Sequence, residues 1–346
     1  MNGLPRVSLV HGPTPIVKRA RLDAMLGVDL WIKRDDATAG AEAGNKVRKL
    51  EYLLGDVVAK ACDVVLTCGG IQSNHARATA LACAELGLAC VLFLRVDKDE
   101  DASGESDAAP REKLPHSGNV LLDRMAGAEI RLISRADYAR RTAVMEAAAL
   151  RLAGGASGKR PYVIPEGGSN GLGSLGYVDA MREVKEQLAL GLGGGPKRFD
   201  VIVHACGSGG TAAGIALGAA RFGVATSVRT MAVCDDAAYF DQVIARITAE
   251  ARALDASLGA PVPTVVDDAA RGPRYAVMDD AQRRFVVDVA RASGVIVDPV
   301  YTGTALFGLA RAVERGDIAR GSRVLFVHTG GFPGLLAQGD AFEAAL

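Results

Sequence analysis

Short apolar runs alternate with longer amphipathic segments along most of the chain. The apolar runs predict β-strands at 30–36, 64–67, 90–94, 129–133, 162–165, 200–205, 228–234, 295–298 and 323–327. The amphipathic segments predict helices at 73–87, 119–125, 173–190, 211–221, 236–254, 278–293 and 303–315, and another that ends near 153. Repeated strand–helix alternation requires a mostly parallel sheet with helices on both faces. The sequence therefore predicts an α/β fold.

One further amphipathic helix begins near Asn45. Its apolar positions recur at helical spacing, at Val47, Leu50, Leu54 and Val57. Asn45 is a good N-cap residue, which places Lys46 in the first turn, the unfavourable end of a helix for a cation. Lys46 is then either a solvated surface residue or an amine kept for chemistry. A lysine held away from water has a lowered pKa and becomes nucleophilic.

Two flexible connections suggest how the chain divides. Residues 154–159 and 191–198 are rich in glycine and serine or glycine and proline. We expect a small α/β domain at 51–160 and a larger one made of 1–50 and 161–346. Ligands should bind between them, at the carboxyl ends of strands. Residues 97–117 are polar and acidic, and predict a mobile surface insertion.

Composition narrows the functional class. Forty basic and forty acidic residues cancel, so no basic surface indicates nucleic acid or an anionic membrane as a partner. No apolar run approaches the ~20 residues of a membrane span. Six cysteines without a CxxC pair predict reduced thiols in a cytoplasmic protein, and the five histidines have no metal-ligand spacing, so we expect no metal.

A glycine-rich loop follows the strand predicted at 200–205. It comprises Cys206, Gly207, Ser208, Gly209, Gly210 and Thr211. Glycines let backbone N–H groups converge on an anion, and the following helix adds its positive end. The loop lacks the Lys-Ser/Thr ending of a P-loop but fits a relaxed dinucleotide fingerprint, with Asp235 as a ribose carboxylate. A phosphate site, a dinucleotide site and a plain turn all remain open.

Two more glycine turns carry hydroxyl and amide side chains. The first runs through Gly69 and Gly70 to Ser73 and Asn74, and the second occupies 167–171. Ser73 and Asn74 are either ordinary helix caps or hydrogen-bond partners of a ligand above the strand end. Three such turns at strand ends exceed what turns alone require.

Taken in order, five motifs resemble the D-cysteine desulfhydrase/1-aminocyclopropane-1-carboxylate (ACC) deaminase family. They start at Gly44, Gly69, Gly207, Asp298 and His328, and read GNKxRKLE, GGIQSN, GSGGT, DPVYTG and HTGG. This resemblance implies a two-domain fold type II enzyme dependent on pyridoxal 5'-phosphate (PLP), each domain a mostly parallel sheet flanked by helices. It covers essentially the whole chain.

The resemblance also implies a role for each matching residue. Lys46 would bind PLP covalently, and Cys206 to Thr211 would hold its phosphate, which displaces the dinucleotide interpretation. Asn74 would bind the phenolic oxygen, and Thr302 would face the pyridine nitrogen. The catalytic residues would be Lys46, Ser73, Tyr275 and Tyr301. The resemblance further suggests a homodimer.

The predicted reaction is PLP-dependent β-elimination from a small amino acid, best D-cysteine, which yields pyruvate, ammonia and sulfide. ACC deamination and elimination from L-cysteate are alternatives within the family, and a nucleotide-binding dehydrogenase is a remote one. The chain departs from the family pattern at Arg274, Ala276 and Thr304, which bears on the substrate more than on the cofactor. Threonines at 302 and 329, where the deaminases have glutamate and leucine, favour elimination over opening of the ACC ring.

Overall fold

A computed structural model describes residues 3–41, 43–96, 98, 102–103, 109, 114–155, 158–195 and 197–346. Its strands are β1 (Ile16–Lys18), β2 (Asp29–Lys33), β3 (Val64–Gly70), β4 (Ala89–Arg95), β5 (Glu129–Ile133), β6 (Pro161–Val163), β7 (Phe199–Cys206), β8 (Ala225–Ala232), β9 (Thr264–Asp267) and β10 (Arg323–Val327). Its helices are α1 (Ala20–Leu26), α2 (Asn45–Ala59), α3 (Asn74–Glu85), α4 (Gly118–Met125), α5 (Arg135–Ala139), α6 (Arg141–Gly154), α7 (Gly171–Ala189), α8 (Gly210–Phe222), α9 (Ala237–Leu254), α10 (Asp280–Ser293), α11 (Thr302–Glu314) and α12 (Phe332–Leu336).

The strands form two sheets. The larger has the order β1-β2-β10-β7-β8-β9, and the smaller has the order β5-β4-β3-β6. Every pairing is parallel except that of β1 with β2. The predicted α/β class with two mostly parallel sheets is confirmed.

Both faces of each sheet are buried, which explains why the strands read as continuous apolar runs. In β7, Val201 and Val203 pack into one apolar cluster, whereas Ile202 packs into another on the opposite face. In the smaller sheet, Leu92 and Phe93 divide between two clusters in the same way. Side chains of a strand alternate between faces, so two covered faces demand apolar residues at every position.

Several predicted elements need correction. Residues 295–298 form no strand, although Val295 and Val297 are buried, because the carbonyl of Ile296 accepts a hydrogen bond from the His328 ring instead of a neighbouring strand. The short edge strands β1 and β9 were not predicted. The turn expected at 330–334 continues into α12.

Two predictions concern connections and boundaries. Most of 97–117 lies outside the described residues; of those described, Ser103 and Ala109 donate backbone hydrogen bonds to Leu132 and Ile130 in or beside β5. The division into domains stays a prediction, but β6 pairs with β3. The smaller sheet therefore extends past the boundary expected at residue 160.

Candidate active site

A cavity lies at the carboxyl end of β7, where the glycine loop leads into α8. The residues that line it are Asn45, Lys46, Asn74, Ala205, Cys206, Gly207, Ser208, Gly209, Thr211, Ala212, Tyr301 and Thr329. They come from all five sequence motifs and from the residues on either side of the GSGGT motif. The structure thus brings most of the predicted site residues to the predicted place, the carboxyl ends of strands.

Lys46 lies in the first turn of α2 and reaches this cavity half-buried. Burial lowers the pKa of its amine from 10.5 to about 8, and the nearby Cys206 and Glu166 offset only part of that effect. Within the described chain, no side chain forms a hydrogen bond or ion pair with the amine. An unpaired amine of this pKa is partly neutral near neutral pH and therefore nucleophilic.

The start of α2 differs from the prediction. Gly44, not Asn45, is the N-cap, and it has a φ of 131°, which favours glycine. A Cβ at this position would lie 2.9 Å from the carbonyl oxygen of Thr329. Asn45 is the first helical residue, and its amide donates to the Thr211 hydroxyl at 3.0 Å. Asn45 therefore ties α2 to the glycine loop instead of capping its own helix.

The glycine loop lets a ligand approach its backbone closely. Gly209 precedes α8 with a φ of 78°, and no side chain caps the helix there. A Cβ on Gly207 would lie 2.9 Å from the Tyr301 ring, so a larger residue would close the cavity. Uncapped N–H groups at a helix start form an anion site, and the hydroxyls of Ser208 and Thr211 border it.

A second buried lysine stands behind this loop. Lys49 is 1% exposed; its ammonium donates to Gly167 O at 3.1 Å and to Ser169 Oγ at 2.9 Å, and Ser169 in turn lies 2.8 Å from the Ser208 hydroxyl. Burial lowers the pKa of Lys49 well below its usual value. Sequence reasoning did not assign Lys49 to the site, although it follows Lys46 by three residues and so shares its side of the helix.

Arg48, which lies between Lys46 and Lys49 on α2, has carboxylate partners. Arg48 is buried and forms two hydrogen bonds of 2.8 Å with Asp35, and it also pairs with Glu183 at 3.1 Å. Lys46 and Lys49 have no carboxylate partner among the described residues. Two lysines without carboxylate partners, beside uncapped helix N–H groups, suit a phosphate-bearing ligand, whose negative charge would balance their positive charges.

Asn74 and Ser73 occupy different surroundings. Asn74 lines the cavity, and its Oδ1 accepts from Asn119 Nδ2 at 3.0 Å, so its own amide N–H groups remain available. Asn119, where the predicted helix begins, is the second residue of α4, and Ser117 occupies the N-cap position. Ser73 caps α3 by accepting from Ala76 N at 3.2 Å and is not among the described residues lining the cavity. Its catalytic role stays a prediction.

Tyr275 and Tyr301 meet at the mouth of the cavity. Their hydroxyl oxygens are 2.6 Å apart, and their rings pack edge to face. Burial raises the pKa of Tyr275 to about 12 and raises that of Tyr301 well above its usual range. Both are neutral phenols at physiological pH and can donate a proton.

The surroundings of Thr302 differ from the prediction. It is fully buried; its hydroxyl donates to Asp298 Oδ1 at 2.6 Å and accepts from Asp298 N at 2.8 Å. Among the described residues that line the cavity, Thr329 is present and Thr302 is not. The contact of Thr302 with a pyridine nitrogen therefore stays a prediction, and its hydroxyl proton is already engaged.

Comparison with known proteins decides the family. The model of the pyridoxal-phosphate dependent enzymes matches residues 7–330. The chain belongs to this family. A mitochondrial bifunctional D-cysteine desulfhydrase/ACC deaminase of Arabidopsis thaliana is 41% identical over 343 residues, which are 98% of this chain and 81% of the relative. A D-cysteine desulfhydrase of Yersinia pestis (strain Pestoides F) is 36% identical over 96% of each chain.

A solved structure supports the same assignment. The crystal structure of an ACC deaminase homologue has a TM-score of 0.86 and 35% identity, covering 99% of this chain and 97% of that one. The predicted family, fold type II architecture and PLP cofactor are confirmed. The dinucleotide interpretation of the glycine loop is thereby displaced. Within the described chain, no helix is both long and apolar enough to cross a membrane.

Proposed function

We propose that this pyridoxal-phosphate enzyme catalyses β-elimination from a small β-substituted amino acid, best D-cysteine, to give pyruvate, ammonia and sulfide. One observation supports this above all: the Lys46 amine, whose pKa burial lowers to about 8, shares a cavity with Tyr301, a neutral phenol that is hydrogen-bonded to Tyr275. The first is a base and the second an acid, which are the two proton-transfer groups that an elimination requires.

The residues that would hold the cofactor follow from the cavity. The N–H groups at the start of α8, with Lys49 behind them, would bind the phosphate, and the amide of Asn74 would bind the phenolic oxygen. Lys46 would bind PLP covalently. Bound PLP supplies an electron sink for the pair left when the bond from Cα to hydrogen breaks.

The side chains would divide the proton transfers between them. Lys46 would take the Cα proton. Tyr301 would protonate the departing thiolate, while Tyr275 would hold the Tyr301 hydroxyl through the 2.6 Å hydrogen bond. The Cβ–S bond breaks with its electron pair on sulfur. The released aminoacrylate then takes up water to give pyruvate and ammonia.

ACC deamination is the second candidate. The Arabidopsis relative carries both activities in its name. ACC has no α-hydrogen, so its ring must open by another route that benefits from a charged pyridine nitrogen. A threonine at position 302 supplies no carboxylate to stabilise that charge, and its hydroxyl already donates to Asp298. We therefore place D-cysteine before ACC and L-cysteate.

A substrate panel tests this order. Purified holoenzyme is assayed for ketoacid and sulfide with D- and L-cysteine, β-chloro-D-alanine, cysteate, serine and ACC. We expect turnover of D-cysteine and β-chloro-D-alanine and negligible turnover of ACC. Equal rates for ACC and the thiol would contradict the threonine argument, and preference for an L-amino acid would replace the named substrate within the same family.

The setting of the enzyme is also proposed. The six cysteines without a CxxC pair support a cytoplasmic location, and the family resemblance supports a homodimer. Light scattering coupled to gel filtration distinguishes a dimer from a monomer directly.

A further inference from the structure

The cavity widens beyond Tyr301 into a polar chamber. This outer chamber shares Gly207, Ser208 and Tyr301 with the cavity that contains Lys46, and Tyr275 lines it as well. The charged side chains on its wall are Arg95, Arg141, Glu166, Asp235 and Arg246. A substrate bound beside Lys46 would extend its side chain toward this chamber or its α-carboxylate toward the start of α3.

Two of the three arginines in the chamber are neutralised. Arg141 pairs with Glu166 at 2.8 Å, and Arg246 pairs with Glu250 one turn along α9. Arg95 has no hydrogen-bond or ion-pair partner in the described chain, and its Nε is buried without an acceptor. A buried guanidinium N–H without an acceptor is costly, so an arginine left in that state at a cavity wall suits a ligand better than the fold.

Aromatic rings hold Arg95 in place. It is the last residue of β4, and its guanidinium lies over the ring of Tyr138 at 5.2 Å and over that of Tyr275 at 5.9 Å. Such cation–π contacts fix the position of the charge without removing it. Tyr275 in turn is hydrogen-bonded to Tyr301, the residue proposed to protonate the leaving group. Arg95 is therefore linked to Tyr301 through Tyr275.

We propose that Arg95 binds a second anionic group carried on the β-carbon of the substrate. This inference rests on the elimination proposed above and specifies its substrate class. A guanidinium recognises a planar or tetrahedral oxyanion with two parallel N–H groups. The site then binds amino acids with a β-sulfonate, β-sulfinate or β-carboxylate in addition to thiols. A β-sulfonate can leave as sulfite, which takes the electron pair of the Cβ–S bond. A β-sulfinate and a β-carboxylate are poor leaving groups, so amino acids that carry them act as inhibitors.

A competing role for Arg95 would be recognition of the α-carboxylate, which all amino acids share. The two roles make different predictions. A β-oxyanion contact separates aspartate from asparagine, which have the same shape and differ in charge. An α-carboxylate contact affects both ligands equally. The comparison of this pair therefore tests the proposal without any need for turnover.

The experiment measures binding of D- and L-aspartate and of D- and L-asparagine to the holoenzyme by calorimetry, and their inhibition of whichever substrate the panel identifies. We expect the wild type to bind aspartate about 10–100-fold more tightly than asparagine, since a charge-assisted bidentate pair is lost with the amide. Arg95→Gln should reduce that ratio to about 1, because it removes the charge and the forked pair of N–H groups while keeping a polar side chain.

Two further variants sharpen the result. Arg95→Lys keeps the charge but loses the fork, so an intermediate ratio is expected. Arg246→Gln removes a charge that Glu250 already neutralises, and the ratio should stay near that of the wild type. Melting temperature and cofactor absorbance show that each variant is folded and loaded.

The outcomes test the role of Arg95 independently of the proposed elimination reaction. Equal binding of aspartate and asparagine by the wild type would overturn the proposal, as would an unchanged ratio in Arg95→Gln or an equal loss for both ligands. A holoenzyme that discriminates aspartate through Arg95 but eliminates from nothing would keep the binding site and refute the β-elimination.

Discussion

The hydroxyl oxygens of Tyr275 and Tyr301 lie 2.6 Å apart, so one phenol donates its proton to the other. Only the acceptor in that pair keeps a free proton for a substrate. Tyr301 also lines the inner cavity with Lys46, whereas Tyr275 lines only the outer chamber and the surface beside it. In the proposed reaction this arrangement favours Tyr301 as the proton donor and Tyr275 as the residue that orients the Tyr301 hydroxyl.

Removing each hydroxyl separately tests that division. Tyr301→Phe should lower kcat by about 10²–10⁴-fold, the usual loss of a general acid. Tyr275→Phe should lower kcat less, because the Tyr301 hydroxyl remains and only its orientation suffers. Steady-state kinetics measures both, and an equal loss in the two variants would show that the pair acts as one unit.

Substitution of Lys46 and substitution of Lys49, the two lysines of α2 without a carboxylate partner among the described residues, should have different effects on the enzyme. Lys46→Ala should abolish turnover and the absorbance of the lysine-bound cofactor, because the Lys46 amine is the group proposed to form the covalent link. Lys49→Ala should keep that absorbance but weaken cofactor affinity by about tenfold or more, the effect expected from loss of a charge-assisted contact with the phosphate. Spectral titration with PLP measures both, and an intact covalent spectrum in Lys46→Ala would refute the assignment of the lysine.

Stability of the cofactor-free protein should depend on pH through Lys46. Its pKa is about 8 in the folded chain and near 10.5 when exposed, so the unfolded chain holds more protons between these values. Stability therefore rises with pH across that window, and the burden of the buried charge is greatest below it. Lys46→Met should be more stable than the wild type near neutral pH, with the gain shrinking toward the ordinary lysine pKa.

Urea unfolding of both cofactor-free proteins at several pH values measures this difference. A gain that stays constant across the window would indicate packing of the methionine and not relief of charge.

Ser73 and Asn119 test the start of α3. Ser73→Ala should cost about 1 kcal/mol of stability through loss of the helix cap. If Ser73 also takes part in proton transfer, kcat should fall by about 10²–10⁴-fold without loss of cofactor. A loss of stability in Ser73→Ala with unchanged kcat would show that Ser73 acts only as a helix cap.

Asn119→Ala should shift the cofactor spectrum, because Asn74 loses the partner of its Oδ1.

The sequence predicted what depends on local pattern. The first turn of α2 with Lys46, the glycine loop and the strand ends that bring them together follow from periodicity and from residues with special backbone freedom. The short edge strands β1 and β9 were not predicted, because each has too few residues to show a repeating pattern of apolar and polar positions.

Contacts between distant segments were beyond such reasoning. Asn119 reaches Asn74 across 45 positions, and Asn45 reaches Thr211 across 166. Both asparagines look like helix caps from their neighbours, and only the tertiary fold shows that their amides are used elsewhere. Thr302 was placed by resemblance, whereas its hydroxyl is engaged by Asp298, four residues earlier.

Helix α2 places Lys46, Arg48 and Lys49 within four positions, and among the described residues only Arg48 has carboxylate partners. The balance for Lys46 and Lys49 must come from the ligand, so binding of an anionic cofactor adds directly to the free energy of folding. The amount of folded enzyme in a cell should therefore follow the supply of vitamin-derived cofactor, and cells short of it should degrade the chain faster.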